Sequence, residues 1–121
     1  MKLQKIVSRL QELHPKEIDL SLDRIQDLCK RLGNPQDKIK TISIVGTNGK
    51  YSTIQAMFAV LKEANIKCNI YTSPHIKNIN ERFVFNNQEL NDEELASLFE
   101  KIEGANNNEP ITFFEILTAA Y

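Results

Sequence analysis

Apolar side chains recur along this chain with two spacings, and each spacing predicts one kind of element. Intervals of three or four residues are typical of a helix with one buried face. They run through the first residues up to His14-Pro15, where proline disfavours a helical residue before it. They return between Ser21, a candidate N-cap, and Gly33, a candidate C′ residue. Three later segments have the same spacing and are also predicted helices. The first opens with Ser52-Thr53, the second follows the candidate N-cap Asn91, and the third runs from Thr112 to Tyr121.

Short apolar runs with strand character surround the third helix. Ile42–Val45 precedes it and Ile66–Thr72 follows it, which predicts a right-handed βαβ unit with parallel strands. Arg82–Phe85 predicts a short extended piece that turns at Asn86-Asn87. The polar stretch Gly104–Pro110 predicts an exposed loop. The predicted fold class is therefore α/β, with a mostly parallel sheet flanked by helices.

Between the first predicted strand and the third helix lies a glycine-bounded loop, Gly46-Thr47-Asn48-Gly49, followed by Lys50. Strand, glycine-rich loop, lysine and helix form the layout of a phosphate cradle, in which backbone N–H groups and the helix dipole attract an anion. The pattern G-x-x-x-x-G-K-[ST] is incomplete, because Ile44 and Tyr51 replace its first glycine and its hydroxyl. Turn glycines beside a solvated lysine are the simpler alternative, which the flanking strand and helix disfavour.

Composition narrows the class of protein. The chain has 121 residues, 41% of them hydrophobic, and a net charge of −1, which suits one domain or part of one and gives no basic face for nucleic acid. No apolar run is long enough to span a membrane, and the N-terminus lacks the apolar core of a signal peptide. Cys29 and Cys68 do not form a disulfide framework and are expected to be buried thiols of a cytoplasmic protein.

The end of the chain bears on its domain organisation. The last apolar helix is still running at Tyr121, and only two strands of the expected parallel sheet are clear, although such sheets need several strands covered on both faces. We therefore expect residues 1–121 to be the N-terminal piece of a larger protein. Alone, the piece should be poorly stable or self-associating, with no catalytic activity.

Five stretches together resemble one known family. GTNGK, YTSPH (71–75), NERF (80–83), ITFFE (111–115) and the upstream ELHPKEIDLSLDRI (12–25), in this order, resemble folylpolyglutamate synthase and dihydrofolate synthase, which belong to the Mur-type amide ligases. The resemblance implies a P-loop-containing, Rossmann-like, mostly parallel sheet. It also implies that the chain is the first part of the ATP-binding domain, with the rest of that domain and a C-terminal domain to follow.

The resemblance also implies roles for particular residues. ATP would lie on Gly46, Thr47, Asn48, Gly49, Lys50 and Ser52, with Lys50 catalytic; Mg²⁺ would bind Ser73; and the pterin would contact His14, Thr112, Phe113, Phe114 and Glu115. Three of these stretches have a purely structural alternative. Ser73 before Pro74 suits a turn, residues 12–15 around His14 simply end a helix, and Thr112-x-x-Glu115 is a capping box. His75 is either a packing residue or a hydrogen-bond donor to the site, and Glu81-Arg82 either a surface ion pair or a structural element beside it.

The implied reaction is ATP-driven amide formation. The substrate carboxylate of dihydropteroate or a folate takes the γ-phosphoryl group, and the amine of L-glutamate displaces phosphate from the acyl phosphate. The partners would be these small molecules only, with no nucleic acid and no membrane, and the full-length enzyme would be a monomer. Two alternatives stay open: a nucleotide-binding module impaired by Tyr51, and a Mur-type ligase that acts on a cell-wall precursor. We expect Tyr51 to weaken ATP binding rather than abolish it.

Overall fold

The computed structural model describes residues 1 to 121 and divides them into two units. A helical unit combines Met1–Ile39 with Asp92–Tyr121, and a sheet unit consists of Lys40–Asn91. In chain order the elements are α1 (Lys2–Glu12), α2 (Asp23–Arg31), α3 (Lys50–Glu63), β1 (Ile70–Tyr71), β2 (Phe83–Phe85), β3 (Gln88–Glu89), α4 (Asp92–Asn106) and α5 (Phe113–Ala120), with 3-10 turns at Pro35–Lys38 and Ile79–Arg82.

The apolar stripes of α1, α2, α4 and α5 supply the core of the helical unit. Helix α1 packs against α4, and α2 packs against both α4 and α5. Burial of one large aliphatic or aromatic side chain contributes about 1.5–3 kcal/mol, so this cluster is the main source of stability in the unit. Its buried members are Leu3, Ile6, Leu10, Leu28, Leu95, Ala96, Phe99, Ile102, Ile111, Ile116, Leu117 and Ala120.

Local signals fixed the helix ends in most places. Helix α1 ends at Glu12, just before His14-Pro15, as predicted. Gly33 is the predicted C′ residue: its φ is +84°, its N–H donates to the Lys30 carbonyl at 3.0 Å, and the next N–H donates to the Cys29 carbonyl at 2.8 Å. This pair of bonds is a Schellman motif, which satisfies carbonyls that a helix end would otherwise leave open.

Two helix-boundary predictions are wrong. Ser21 does not cap α2, whose N-cap is Leu22; the Ser21 N–H instead donates to the Asp19 carboxylate at 2.8 Å. The predicted loop Gly104–Pro110 is helical as far as Asn106, which is buried. The Asn106 side-chain amide donates to the Glu109 carbonyl at 2.9 Å, so a polar residue closes the helix end inside the unit.

The sheet unit contains one antiparallel sheet, in the order β1-β2-β3. Ile70 pairs with Val84, and Phe85 pairs with Gln88 across the hairpin. The hairpin turns at Asn86-Asn87, as predicted, with φ values of +51° and +67°. Positive φ at both central residues matches a type I′ turn, whose twist suits antiparallel strands and which asparagine tolerates.

The predicted parallel βαβ unit does not form within this chain. Residues 42–45 are not in a strand, and Ile42 and Val45 are 73% and 88% exposed. The predicted strand Ile66–Thr72 shrinks to β1, which pairs antiparallel with β2. The reason is that a strand exists only through its neighbours, and no segment of these residues pairs with 42–45. Helix α3 likewise buries none of its side chains.

Both cysteines are free thiols, as expected, but each is partly exposed rather than buried. Desolvation, together with the nearby Asp37 carboxylate, raises the pKa of the Cys29 thiol. None of the helices combines the length and the apolar content that a membrane span needs.

Candidate functional site

The glycine loop leads directly into α3. Gly49 is the N-cap of this helix in the left-handed conformation, with φ of +76°, and Gly46 has a φ of +152°. Side chains with a Cβ are strained at such angles, so glycine allows the chain to turn at both positions just before the helix begins. No side chain caps the N-terminus of α3. The N–H groups in the first turn of a helix have no acceptor within the helix. In α3 no capping side chain accepts a hydrogen bond from them either.

The side chains around this loop differ in how they are engaged. The Lys50 ammonium donates to the Gly46 carbonyl, so its charge closes the loop on itself. The Thr53 hydroxyl donates to the Gly49 carbonyl at 2.8 Å. Ser52 is exposed, and Tyr51 is 70% exposed. The loop and the first turn of α3 therefore offer a glycine backbone, one positive charge and the exposed hydroxyls of Thr47 and Ser52 for an anion, with the Tyr51 ring largely in solvent.

The Ser73 loop follows β1 in the same unit, and Arg82 holds it. Arg82 Nη1 donates to Ser73 Oγ at 3.0 Å, and Arg82 Nε donates to His75 Nδ1 at 2.8 Å. Since Nδ1 accepts this bond, the neutral imidazole carries its proton on Nε2. His75 is therefore hydrogen-bonded by Arg82, and its remaining N–H is the donor that could serve a ligand.

Glu81 organises the same loop from the other side. Its carboxylate accepts the backbone N–H groups of Ile76, Lys77 and Asn78 at 2.9, 2.8 and 2.7 Å. These hydrogen bonds lower the pKa of Glu81; the bond from the Asn78 N–H has the largest effect, and those from Ile76 and Lys77 come next. Of the two alternatives for Glu81-Arg82, the geometry supports the structural one, because each side chain binds the loop.

The residues around this loop supply only some of the ligands that a divalent cation needs. No group of three His, Cys, Asp or Glu side chains converges anywhere in the chain. Ser73 Oγ is a hard oxygen of the kind that Mg²⁺ accepts, and Mg²⁺ commonly takes one or two protein oxygens with water and phosphate. The Arg82 N–H on that oxygen would have to yield to the metal. The residues fit a metal held mainly by phosphate and water.

In the helical unit, the two stretches proposed to bind substrate lie at one end. The Ile111 N–H donates to the Leu13 carbonyl at 2.9 Å, which joins the end of α1 to the start of α5. His14 and Thr112 are the next residues on each side of this bond. His14 is exposed, and its Nδ1 lies 2.8 Å from the Pro15 carbonyl, to which it can only donate.

The capping box predicted at the start of α5 is confirmed. The Glu115 N–H donates to Thr112 Oγ1 at 3.2 Å, and the Thr112 N–H donates to Glu115 Oε2 at 2.9 Å. Phe113 is half-buried and Phe114 is 56% exposed, so one ring faces solvent beside a fixed helix start.

Glu115 has a second partner that the sequence did not indicate. Arg24 Nε and Nη2 donate to its two carboxylate oxygens, each at 3.1 Å, and Arg24 Nη1 donates to Asp19 Oδ2 at 3.0 Å. Burial by itself would raise the pKa of Glu115, but the N–H donors of Arg24 and Thr112 outweigh it and lower the pKa. The Glu115 carboxylate in turn raises the pKa of Arg24.

The predicted site residues thus fall into two groups. Residues 46–50, Ser52 and Ser73 belong to the sheet unit, whereas His14 and residues 112–115 belong to the helical unit. Sequence reasoning missed Arg24 and Asp19, and it left the role of Arg82 open. The turn between Asp19 and Ser21 could have been predicted locally, since Asp followed two residues later by Ser favours such a turn. The pairing of Arg24 could not, because its partner Glu115 lies 91 positions away.

Comparison with known proteins gives a consistent relationship. Dihydrofolate synthase/folylpolyglutamate synthase of Escherichia coli K12 is 35% identical over 109 residues, which is 90% of this chain and 26% of that protein. The crystal structure of the bifunctional enzyme from Yersinia pestis CO92 superimposes with a TM-score of 0.87 at 31% identity, over 98% of this chain and 29% of that one. A structure of such an enzyme with Mn, AMPPNP and L-glutamate bound gives 0.80 at 30% identity, over 98% and 28%. No protein-family model matches the chain.

These likenesses define the chain as an α/β protein of the kind seen in the synthase structures. Over the segment that it spans, the chain belongs to the folylpolyglutamate synthase/dihydrofolate synthase family. It spans about a quarter of the length of the curated relatives that it matches.

Proposed function

We propose that this chain is the first part of the ATP-binding domain of a ligase that adds L-glutamate to dihydropteroate, to folates, or to both. The observation that carries the proposal is the glycine loop that opens the uncapped helix α3 with Lys50, in a chain 35% identical to a synthase of that name. The remainder of the domain and a C-terminal domain would complete the enzyme. The complete protein would act in the cytoplasm as a monomer.

ATP would lie with its phosphates on the loop of the sheet unit. The N–H groups of Gly46, Thr47, Asn48 and Gly49 and the N-terminus of α3 supply partial positive charge, and Ser52 supplies an exposed hydroxyl. Lys50 would exchange its bond to the Gly46 carbonyl for the β- and γ-phosphates. This exchange costs little, because an ammonium group gains a charged acceptor in place of a neutral one.

Mg²⁺ would accompany the nucleotide, as Mn accompanies AMPPNP in the related structure. When bound, the metal supplies neutralisation of phosphate charge. Ser73 Oγ would be the ligand that this chain contributes to the metal. Arg82 would then lose its bond to Ser73 and keep its bond to His75.

The flat pterin of the substrate would lie against the start of α5. Phe114 offers an exposed ring for stacking, and Phe113 and Thr112 lie beside it. His14 would contribute from the end of α1, which the Ile111–Leu13 bond holds at this place. Glu115 would act by shaping the helix start, since both of its oxygens already accept hydrogen bonds.

The reaction proposed is phosphoryl transfer to the substrate carboxylate followed by attack of the glutamate amine. Lys50 and the loop N–H groups would stabilise the negative charge that develops on the transferred group. The phosphate would leave carrying one oxygen that began on the substrate carboxylate. We also propose that 42–45, with their alternating apolar side chains, belong to a mostly parallel, Rossmann-like sheet in the complete protein.

Tyr51 favours a second candidate, a nucleotide-binding module with little or no catalysis. Tyr51 is 70% exposed, which supports an orientation in which the ring leaves the loop accessible to phosphate. We therefore prefer the ligase over this second candidate.

The test is an ADP-release assay on the full-length protein. Release should need ATP, L-glutamate and either dihydropteroate or a folate together, and mass spectrometry should show a product longer by one glutamyl unit. ATP binding without any glutamyl product would support the module instead, and glutamate-independent ADP release that needs a cell-wall precursor would support the other Mur-type ligase.

A further inference from the structure

We infer that Arg24 is a positioning residue for the folate substrate, because it holds residues 14–22 against the start of α5. The inference rests on the proposed function, in which His14 and residues 112–115 bind that substrate. Arg24 itself would not touch the substrate.

Arg24 uses four of its five N–H donors on two separate segments. Nε and Nη2 donate to the Glu115 carboxylate in a two-pronged pair, while Nη1 donates to Asp19 Oδ2 and Nη2 also donates to the Asp19 carbonyl at 2.8 Å. The Arg24 and Glu115 side chains are only 17% and 14% exposed, so solvent screens this contact weakly. A planar guanidinium fixes both partners in direction as well as distance.

Residues 14–22 have little else to hold them in place. They contain no helix and no strand, and none of them is buried. Ile18 and Leu20, on either side of Asp19, are 94% and 92% exposed. Because hydrophobic burial does not fix this segment, its polar bonds must do so. The Asp19 carboxylate makes a local turn with Ser21. Asp19 also accepts hydrogen bonds from Arg24, and Arg24 in turn donates to Glu115 on α5. These two sets of bonds link the segment to α5.

Loss of Arg24 should therefore release the segment while leaving the hydrophobic core intact. The Ile111–Leu13 bond still holds the end of α1 beside His14. Residues 15–22 lose their link to α5, and the start of α5 loses a partner at Glu115, so the substrate-binding end of the helical unit would become less ordered. The residues proposed to hold ATP belong to the sheet unit, so ATP binding should change little. The signature is a selective rise in KM for the pterin substrate.

The experiment compares three variants of the full-length protein. Arg24→Met removes the guanidinium and keeps the length of the side chain. Asp19→Ala removes a side chain that is 55% exposed, so it should fold even if the first variant does not. Arg9→Met is the control, since Arg9 uses the same donor atoms in a two-pronged pair with Glu103 between α1 and α4 of the same unit, at 3.0 to 3.3 Å and with greater exposure of both side chains.

Two readouts are measured for each variant: KM for dihydropteroate and for ATP, and hydrogen exchange of the amides of residues 16–22 without substrate. Arg24→Met should raise the dihydropteroate KM about tenfold or more. Asp19→Ala should raise it by less, because the Asp19 carbonyl still accepts from Arg24 Nη2. Neither variant should raise the ATP KM by more than about twofold. Both should speed exchange in the segment, and Arg9→Met should do neither.

Unchanged exchange in Arg24→Met and Asp19→Ala would overturn the inference whatever the activity. Faster exchange with an unchanged dihydropteroate KM would overturn it as well, because the segment would then be held without any effect on the substrate. An equal rise in KM for ATP, or the same effects in Arg9→Met, would reduce Arg24 to general stability. A wild-type protein without ligase activity would refute the proposed function, and the exchange data would still decide whether Arg24 anchors the segment.

Discussion

Thr112→Ala tests the start of α5, where the proposed substrate residues lie. The variant loses the side-chain oxygen that accepts the Glu115 N–H at 3.2 Å, and it keeps the reciprocal bond from the Thr112 N–H to the Glu115 carboxylate at 2.9 Å. Replacing a threonine N-cap with alanine costs about 1 kcal/mol in measured proteins. One of the two box bonds survives here, so we expect a loss near that value and no larger.

Thr118→Ala is the matched control, because it makes the same substitution in the same helix. The Thr118 hydroxyl donates to the Phe114 carbonyl four residues earlier at 2.9 Å, and Thr118 is exposed. Such a bond to an already bonded carbonyl adds little, and alanine is the better helix former by up to about 0.7 kcal/mol. The control should therefore leave the free energy of unfolding unchanged or slightly raised.

The assay is urea unfolding of both variants and the wild type, with hydrogen exchange at the amides of Glu115 and Ile116 as a local readout. A loss of about 1 kcal/mol corresponds to a fall of roughly 7 °C in Tm for the helical unit of about 70 residues. Exchange at the first turn of α5 should speed up in Thr112→Ala only. Equal losses in the two variants, or a Thr112→Ala protein as stable as the wild type, would refute the capping argument.

The remaining predictions concern the phosphate loop and the pH response. Lys50→Ala in the full-length protein should lower turnover by about 10²-fold or more, and wild-type turnover would remove Lys50 from the mechanism. Tyr51→Gly should bind ATP more tightly if the ring partly obstructs the loop; equal affinity and turnover would mean that Tyr51 is neutral. The pKa of Glu115 in the folded chain lies below its ordinary value of 4.5, so its contribution to stability is complete above that pH and is lost as the pH falls through the folded value. Glu115→Gln should therefore lose less stability on acidification than the wild type, and parallel curves would contradict the assignment.

Features set by neighbouring residues could be predicted from the sequence. The Gly33 helix end, the Asn86-Asn87 hairpin and the Thr112 capping box each depend on bonds within a few positions, so their residue types carry the signal. The glycine loop before α3 was recognisable for the same reason.

Features set by distant partners could not be predicted. The apolar alternation of 42–45 indicated a strand, but pairing needs a neighbouring segment, and none of these residues supplies one. The sequence carried no local signal for the role of Arg24, because its partner Glu115 lies 91 positions along the chain. The roles of the site residues themselves remain predictions, because they depend on ligands.

The most direct test of the proposed ligase follows the oxygen of the substrate carboxylate. The full-length protein is given ATP, L-glutamate and dihydropteroate whose carboxylate carries heavy oxygen. Attack of that carboxylate on the γ-phosphorus, followed by displacement by the amine, transfers one labelled oxygen to inorganic phosphate and forms ADP. Labelled phosphate in equal amount to the glutamylated product is the predicted result. Unlabelled phosphate, or formation of AMP and pyrophosphate, would contradict the acyl-phosphate mechanism.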